Sequence, residues 1–331
     1  MRGDARWLGF TKSTRMVLSE FTAEGYRNLV QDYTVGFETV DFNLLNAQKC
    51  QKVLFLVFDD ANTIRFGLIG GIFADGRLKI PFSAPYSLLT EVRKRNKVLD
   101  YQEAVKSLIE HCGKRGDVKR ISFTLPPQVY HPTMVSTLEN SLFVCGFKVE
   151  KVDLNYHFEL NEFDDRYEFQ IDIKARQKLR SALKQGLVFE RTDGPGVQEV
   201  YEIIKNNRET KGYPLHLSLE DVLHTAKIIK ADYFMVRDSV GGGVAAAFVL
   251  HVARGIVQVI YWGNTAGSDH LKPMNFLAYK VLEYYKASGI KILDIGPATD
   301  NSMPNYGLCD FKQGIGCVTN SKYSFEYVYN L

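Results

Sequence analysis

Blocks of apolar residues, separated by short polar and glycine-rich segments, predict strands and helices in mixed order along the chain. In the first half, strands are predicted over residues 53–58, 64–73, 78–82, 118–125 and 146–160. Apolar residues three and four positions apart predict helices over 101–111 and 133–142. Strands and helices interleaved in this way are typical of a domain with helices packed on a sheet.

The second half repeats this order. Strands are predicted over 233–236, 244–252, 256–262 and 290–297, with a last strand pair ending at residue 331. A helix is predicted over 274–288, and 311–316 is predicted as a glycine-containing turn. The order helix, glycine, strand, proline recurs at an offset of roughly 170 residues. We therefore expect two mixed sheets related by duplication, with residues 101–147 superposing on 274–315.

One predicted helix, Lys174 to Lys184, is strongly cationic and ends at Gly186, a residue suited to closing a helix. Its apolar stripe consists of Ala175, Leu179, Ala182 and Leu183. A ridge of cations beside the stripe consists of Arg176, Arg180 and Lys184, while Lys174 and Lys178 flank the other edge. Like charges on one helix repel each other. The ridge is therefore either a solvated outer face or a surface for a phosphate-bearing substrate.

Composition narrows the class of protein. The 331 residues suffice for two domains, and 45% hydrophobic content allows each a core. A net charge of +3 does not by itself indicate nucleic-acid binding. The 5 cysteines form no CxxC pair, which predicts reduced thiols in a cytoplasmic protein. The sequence predicts neither a signal peptide nor a membrane-spanning segment. Its histidines and cysteines do not have the spacing of a metal site. The tripeptide Arg-Gly-Asp that begins at Arg2 resembles an adhesion motif, and we interpret it as a chance match.

Several of these features occur together in one known family. The cationic helix matches the pattern K-x-R-x-x-[LI]-R-x-[AG]-x-[KR]-x-G, and an Asp-bearing strand and the segment Phe-Lys-x-Gly-[FI]-Gly follow it. This order resembles the Fem-type aminoacyl transferases and their relatives in the GNAT acyltransferase superfamily. The resemblance implies an α+β fold of mixed sheets in two tandem GNAT-like domains, 1–157 and 158–331. It also allows residues 317–331 to cross back and complete the first domain.

The choice of acyl donor is constrained by the absence of a glycine-rich loop that could bind pyrophosphate. GNAT acetyltransferases hold the pyrophosphate of coenzyme A on a glycine-rich loop before the main helix, but residues 268–275 contain no glycine. Pro273 lacks an N–H group, and Asp269 would repel phosphate. Residues 81–86 of the first half have no such loop either. The resemblance implies aminoacyl-tRNA as the donor, with acyl-coenzyme A as the alternative, and no bound cofactor is firmly predicted.

Three residues are candidates for chemistry. Lys312 lies in the Phe-Lys pair, and the resemblance implies that this lysine supports developing negative charge; otherwise it is a surface lysine. Asp294 interrupts an apolar strand, so it is either buried and hydrogen-bonded, orienting a neighbour, or a base at a site. Tyr261 and Trp262 end a strand and face opposite ways, and we assign Tyr261 to the cleft. Lys312 and Tyr261 are expected to share one cavity.

Further residues are candidates for substrate binding. Arg208, Lys211 and Tyr213 lie near a helix end and suit a sugar or phosphate, although a solvated connection explains them equally well. His270 is the histidine of the loop before the helix that begins near Met274, and an exposed loop histidine is its plainer interpretation. Asn275 begins that helix, whose N–H groups suit a single carboxylate or phosphate.

Together these features predict an acyl or aminoacyl transferase. The resemblance implies that it forms an amide on an amine of a nucleotide-linked sugar or cell-envelope precursor, which would be a small phosphate-bearing substrate. Two alternatives stay open. One is an N-acyltransferase that uses acyl-coenzyme A. The other is a catalytically silent GNAT-like module that binds an anionic glycan precursor.

Overall fold

A computed structural model of the chain describes residues 16–61, 63–164 and 166–329, so the tripeptide at Arg2 lies outside the described residues. The first half contains β1 (Val17–Phe21), α1 (Ala23–Leu29), α2 (Val40–Leu45), β2 (Lys52–Asp60), β3 (Thr63–Ile72), β4 (Arg77–Ile80), β5 (Thr90–Glu91), α3 (Val98–Arg115), β6 (Arg120–Thr124), α4 (Pro132–Val144) and β7 (Lys148–Glu159).

The second half begins with two short helices. Its elements are α5 (Tyr167–Gln170), α6 (Ile173–Ala182), β8 (Val188–Thr192), α7 (Gly196–Thr210), α8 (Leu219–Ala226), β9 (Ala231–Arg237), β10 (Gly243–Ala253), β11 (Ile256–Asn264), α9 (Pro273–Ala287), β12 (Ile292–Pro297), β13 (Thr299–Asp300), β14 (Met303–Pro304), α10 (Tyr306–Gly314) and β15 (Val318–Val328).

The α+β class with mixed sheets is confirmed, and both halves have the same strand order. The first half runs β1-β2-β3-β4-β6 and the second runs β8-β9-β10-β11-β12. In the first half, α3 lies between the parallel strands β4 and β6 along the chain. In the second half, α9 connects the parallel strands β11 and β12 in the same way. This shared order supports the expected duplication.

The two sheets are continuous with each other, which the sequence did not predict. The halves exchange their last strands: β15 pairs with β6 of the first half, and β7 pairs with β12 of the second. Because β15 and β7 also pair with each other, the halves join into one 13-stranded sheet. The centre of this sheet therefore consists of strands contributed crosswise by the two halves.

Helices cover both faces of the sheet, which explains why its strands are continuous apolar runs. In β2, Leu54, Leu56 and Phe58 pack with α3 and α4, whereas Phe55 and Val57 face the core near α1. In the second half, one face packs against α6, α9 and α10, and the other packs against α7 and α8. Buried residues of the first half also pack on the α7 side, and this packing forms the junction between the halves.

The predicted turn at 311–316 is wrong in its first part. Residues up to Gly314 belong to α10, whose N-terminus is capped by the Asn305 side chain. Within residues 311–316, only Gly316 has a left-handed backbone conformation, with φ +91°. α10 packs on α6 at Gly314, where an added Cβ would lie 3.8 Å from Ala175 Cβ, an ordinary van der Waals distance.

An ion-pair cluster lies between β8, β9, β10 and α9. Asp232 is buried and accepts hydrogen bonds from Arg191 Nε (2.7 Å) and the Tyr285 hydroxyl (3.0 Å), and its other partner is His251 Nε2 (2.6 Å). Burial by itself raises the pKa of this carboxyl, but the bonds to His251, Arg191 and Tyr285 outweigh it and lower the pKa to about 2. The cluster thus ties the edge of the sheet to α9.

We expect Asp232→Asn to lower the free energy of unfolding by about 2 kcal/mol at neutral pH. Because folding lowers the pKa of this carboxyl, its stabilisation is complete above its ordinary pKa and is lost as the pH falls towards about 2. Urea unfolding of both proteins at neutral pH and at low pH measures this. The difference between them should shrink in acid, and a difference that stays constant would contradict the assignment.

No helix among the described residues is both long enough and apolar enough to cross a bilayer. In the same ranges, no group of three or more histidine, cysteine and carboxylate side chains is placed to hold a metal ion.

Candidate functional site

The candidate site lies where the parallel strands β11 and β12 separate. They pair only from Ile256 to Gln258 and from Ile292 to Asp294, and then diverge. Beyond Asp294 the backbone of β12 bulges at Gly296, whose φ of +72° favours glycine. The divergence leaves polar backbone groups without a strand partner, so other groups must bind them.

Lys312 binds these groups from α10. Its Nζ donates to the carbonyl oxygens of Ile295 (2.7 Å), Gly296 (2.9 Å) and Pro297 (3.0 Å), and its side chain is 2% exposed. Burial lowers the pKa of the ammonium to about 8. The alternative of a surface lysine is therefore excluded, and a buried cation lies at the end of β12.

The side chain of Asp294, itself a residue of β12, is hydrogen-bonded to the same bulge. Its carboxylate accepts hydrogen bonds from the Gly296 N–H (2.8 Å), Asn155 Nδ2 (2.8 Å), Gln258 Nε2 (3.1 Å) and the Tyr130 hydroxyl (2.7 Å). The residue is fully buried. Its partners come from β7, β11 and the first half, so Asp294 connects the two halves. The buried, hydrogen-bonded interpretation agrees with this geometry.

Tyr261 lies on the α7 side, with Arg208 and Tyr213. The Arg208 guanidinium lies 4.9 Å from the ring centre of Tyr261 and 5.9 Å from that of Tyr213. Its Nε donates to the Pro214 carbonyl at 2.8 Å, and burial lowers its pKa. Asn305 Nδ2 donates to the Tyr213 hydroxyl at 2.8 Å, which links this loop to the start of α10. Lys211 ends α7 nearby and is exposed.

A bulge in β11 separates Tyr261 from Lys312. Phe248 pairs with Tyr261 and Val249 with Val259, so Ile260 is an extra residue. Ile260 and Tyr261 therefore both pack on the α7 side, and Trp262 packs on the α9 side with Phe311. The Lys312 ammonium lies 5.5 Å from the Tyr156 ring centre, also on the α9 side. The expected shared cavity of Lys312 and Tyr261 is not formed, because the two residues lie on opposite faces.

The start of α9 has few free N–H groups. Pro273 has none, and the Asn275 N–H donates to the Lys272 carbonyl at 3.2 Å. The loop before α9 is filled by its own side chains: Asn264 Nδ2 donates to Asp269 Oδ1 at 2.8 Å. The exposed ring of His270 bonds to the Gly267 carbonyl. His270 therefore lies in a loop whose polar groups bond to one another, and Asn275 lies in the first turn of α9 with its N–H already engaged.

The cation ridge of α6 faces outward. Ala175, Leu179 and Ala182 are buried, which turns the opposite face to solvent. Arg180 Nε donates to Glu168 at 2.8 Å, and an Arg176 N–H donates to the carbonyls of Phe169 and Ile171 at 3.4 Å. The nearest partners of the ridge are thus in α5, and Lys184 is exposed.

Four residues of the network were not among the site residues predicted from the sequence: Tyr86, Tyr130, Asn155 and Gln258. The Tyr86 and Tyr130 hydroxyls lie 2.7 Å apart, and Tyr86 also reaches Gln258 Oε1 at 3.2 Å. Tyr86 lies in a loop and Tyr130 ends a short 3₁₀ helix (Gln128–Tyr130), both in the first half, so only knowledge of the junction relates them to Asp294. Gln258 had a detectable signal, because it is a polar residue within an apolar strand.

Comparison with solved structures defines the fold. FemX matches with a TM-score of 0.66 and 15% identity, covering 95% of this chain and 97% of its own. The chain therefore shares the fold of FemX and of a tandem GNAT protein. L-PGS from Bacillus licheniformis matches with a TM-score of 0.60 and 14% identity over 93% of this chain and 91% of its own. A tandem GNAT protein from the clavulanic acid biosynthesis pathway matches with a TM-score of 0.50 and 10% identity over 95% and 98%.

No family model and no curated protein matches the sequence. At identities this low the similarity concerns the fold, and the chemistry must be inferred from the site itself.

Proposed function

We propose that the chain is an acyl or aminoacyl transferase that forms an amide where β11 and β12 separate. The observation that carries the proposal is Lys312, a buried cation bound to the free carbonyls of β12 at this opening. When an amine attacks an acyl carbonyl, the carbonyl oxygen becomes an oxyanion. A fixed positive charge in a partly dry site stabilises that oxyanion more than the neutral substrate.

The Lys312 ammonium can serve this role without leaving its place. Its bonds to Ile295 and Gly296 are buried, whereas the bond to Pro297 is partly buried. An oxyanion could replace the Pro297 carbonyl as the third acceptor, and the remaining bonds would keep the side chain in position. A pKa of about 8 leaves the ammonium largely charged at neutral pH.

The start of α9 favours aminoacyl-tRNA over acyl-coenzyme A as the donor. A pyrophosphate needs several converging N–H groups. Here Pro273 offers none, the Asn275 N–H is engaged, and the Asp269 carboxylate lies in the loop. The cysteines are free thiols, which agrees with the cytoplasmic setting that a tRNA donor requires.

Arg208 is the best placed residue to bind the phosphate of the acceptor. It lies in the last turn of α7, between the rings of Tyr261 and Tyr213 and beside the loop that reaches α10. Its Nε donates to the Pro214 carbonyl, which leaves its terminal N–H groups without a partner among the described residues. Guanidinium groups suit phosphate geometry. We infer that the acceptor is an amine on a nucleotide-linked sugar or cell-envelope precursor. Lys211 and Tyr213 lie on the same loop and would share this contact.

A catalytically silent module that binds an anionic glycan precursor is the second candidate. Arg208 favours it as much as it favours an enzyme, since binding a phosphate needs no chemistry. Lys312 separates the two, because a binding module has no need of a buried cation at the opening.

Thermal unfolding with ligands tests both the donor and the acceptor. A ligand at about 100 times its dissociation constant adds about 2.7 kcal/mol of stability. We expect nucleotide-linked sugars to raise the melting temperature and coenzyme A to leave it unchanged. Arg208→Gln should remove the response, whereas Lys205→Gln, on the same helix, should retain it. Stabilisation by coenzyme A alone would instead support the acyl-coenzyme A alternative.

A further inference from the structure

Exposed apolar residues surround the cation ridge of α6. Phe169 on α5 is 68% exposed, Ile173 at the start of α6 is 65% exposed, and Leu183 at its end is 43% exposed. Single exposed apolar side chains are common, but three of them around one cationic ridge form the kind of apolar surface that marks an interaction site. We call these residues, together with Arg176, Arg180 and Lys184, the α6 patch.

The helix geometry brings these side chains together. Residues three and four apart share one face of a helix, so Ile173, Arg180 and Lys184 lie opposite the buried stripe. Arg176 extends over the ring of Phe169, with 5.4 Å from guanidinium carbon to ring centre. The patch is thus one surface of mixed cationic and apolar character.

The charge of the patch is strongly positive. Glu168 is the acid that pairs with it, through Arg180. The Asp172 carboxylate caps the helix by accepting from the Lys174 N–H at 2.7 Å. The α6 helix itself carries Lys174, Arg176, Lys178 and Arg180 without an acid between them, and Lys184 follows. Its partner must therefore be anionic.

We propose that the α6 patch binds the surface of an anionic bilayer. The lipid phosphates would bind the cationic side chains of the patch. Its exposed aromatic and aliphatic side chains would insert at the boundary between the lipid headgroups and the acyl chains. A nucleic acid would also bind the cations and could stack a base on Phe169, but the exposed aliphatic side chains of Ile173 and Leu183 have no planar group for stacking and suit the bilayer. Because α6 packs on α10 at Gly314, binding here would hold the helix of Lys312 close to the membrane.

Sedimentation with lipid vesicles tests this proposal on the full chain. We expect the protein to bind vesicles of phosphatidylcholine with about one third phosphatidylglycerol, to release them at high salt, and not to bind pure phosphatidylcholine. Lys184→Gln should weaken the binding about fivefold, and Phe169→Ser about tenfold. Thermal unfolding should be unchanged, because both side chains are exposed.

Matched controls replace residues outside the patch. Phe143→Ser removes an aromatic ring that is also exposed, on α4, and Lys227→Gln removes a cation beside α8, on the other face of the sheet. Both variants should bind vesicles like the unaltered chain. Equal loss in the controls, or no binding to anionic vesicles, would overturn the proposal. Absence of vesicle binding together with tRNA binding that is weakened by Lys184→Gln would assign the patch to nucleic acid.

Discussion

Replacing Lys312 by Met should lower the rate of transfer by about 10²–10³, because the oxyanion loses its fixed positive charge. The same change should destabilise the fold by about 3 kcal/mol, because three backbone carbonyls lose their donor. A lysine at the surface would contribute little to stability, but Lys312 is 2% exposed and its ammonium holds all three carbonyls. Steady-state kinetics and urea unfolding measure the two effects separately.

The kinetic effect needs a control of similar instability. Leu142→Ala removes a buried side chain from the first-half core and should cost about 3 kcal/mol as well. Its rate per folded molecule should stay normal. The proposed transfer activity of the unaltered chain should also fall as the pH rises through about 8, where the Lys312 ammonium deprotonates. A Met variant that keeps its full rate would contradict the role of Lys312.

Asp294→Asn should destabilise the chain by about 3 kcal/mol and weaken the contact between the halves. All four partners of this carboxylate donate hydrogen bonds, so an amide of the same shape turns its own N–H groups towards at least one of them. The transfer rate should fall too, because Asp294 fixes the bulge whose carbonyls hold Lys312. Urea unfolding gives the energy.

Tyr130→Phe is the matched comparison for Asp294. It removes one hydroxyl donor from the same network and leaves the carboxylate with its other partners, so about 1 kcal/mol should be lost. If Asp294→Asn proved as stable as Tyr130→Phe or more so, the carboxylate would not organise the junction.

Local patterns predicted most of the elements but not how the halves join. Apolar spacing located α3, α9 and the strands beside them, because burial on one or both faces imposes it. The pairing of β15 with β6 joins residues about 200 positions apart, as between Ser324 and Thr124. Nothing in the local pattern of either strand specifies such a partner. The family resemblance allowed residues 317–331 to cross back, but it did not indicate one continuous sheet.

The site was predicted in part for similar reasons. Lys312 could be singled out through a short motif, and Asp294 because a carboxylate in an apolar strand needs partners. Tyr261 was expected beside Lys312 because strand residues alternate, but the extra residue Ile260 changes that alternation. Tyr86 lies in a loop and Tyr130 in a 3₁₀ helix of three residues, where periodicity carries no information about contacts.

The central claim is that transfer occurs where β11 and β12 separate and depends on Lys312. The most direct test incubates the chain with labelled aminoacyl-tRNA or labelled acyl-coenzyme A and an amine-bearing nucleotide-linked sugar, and counts label in the amide product. We predict transfer from aminoacyl-tRNA, normal rates for Leu142→Ala and a loss of about 10²–10³ for Lys312→Met. No transfer from either donor, or an unchanged rate for Lys312→Met, would contradict the account.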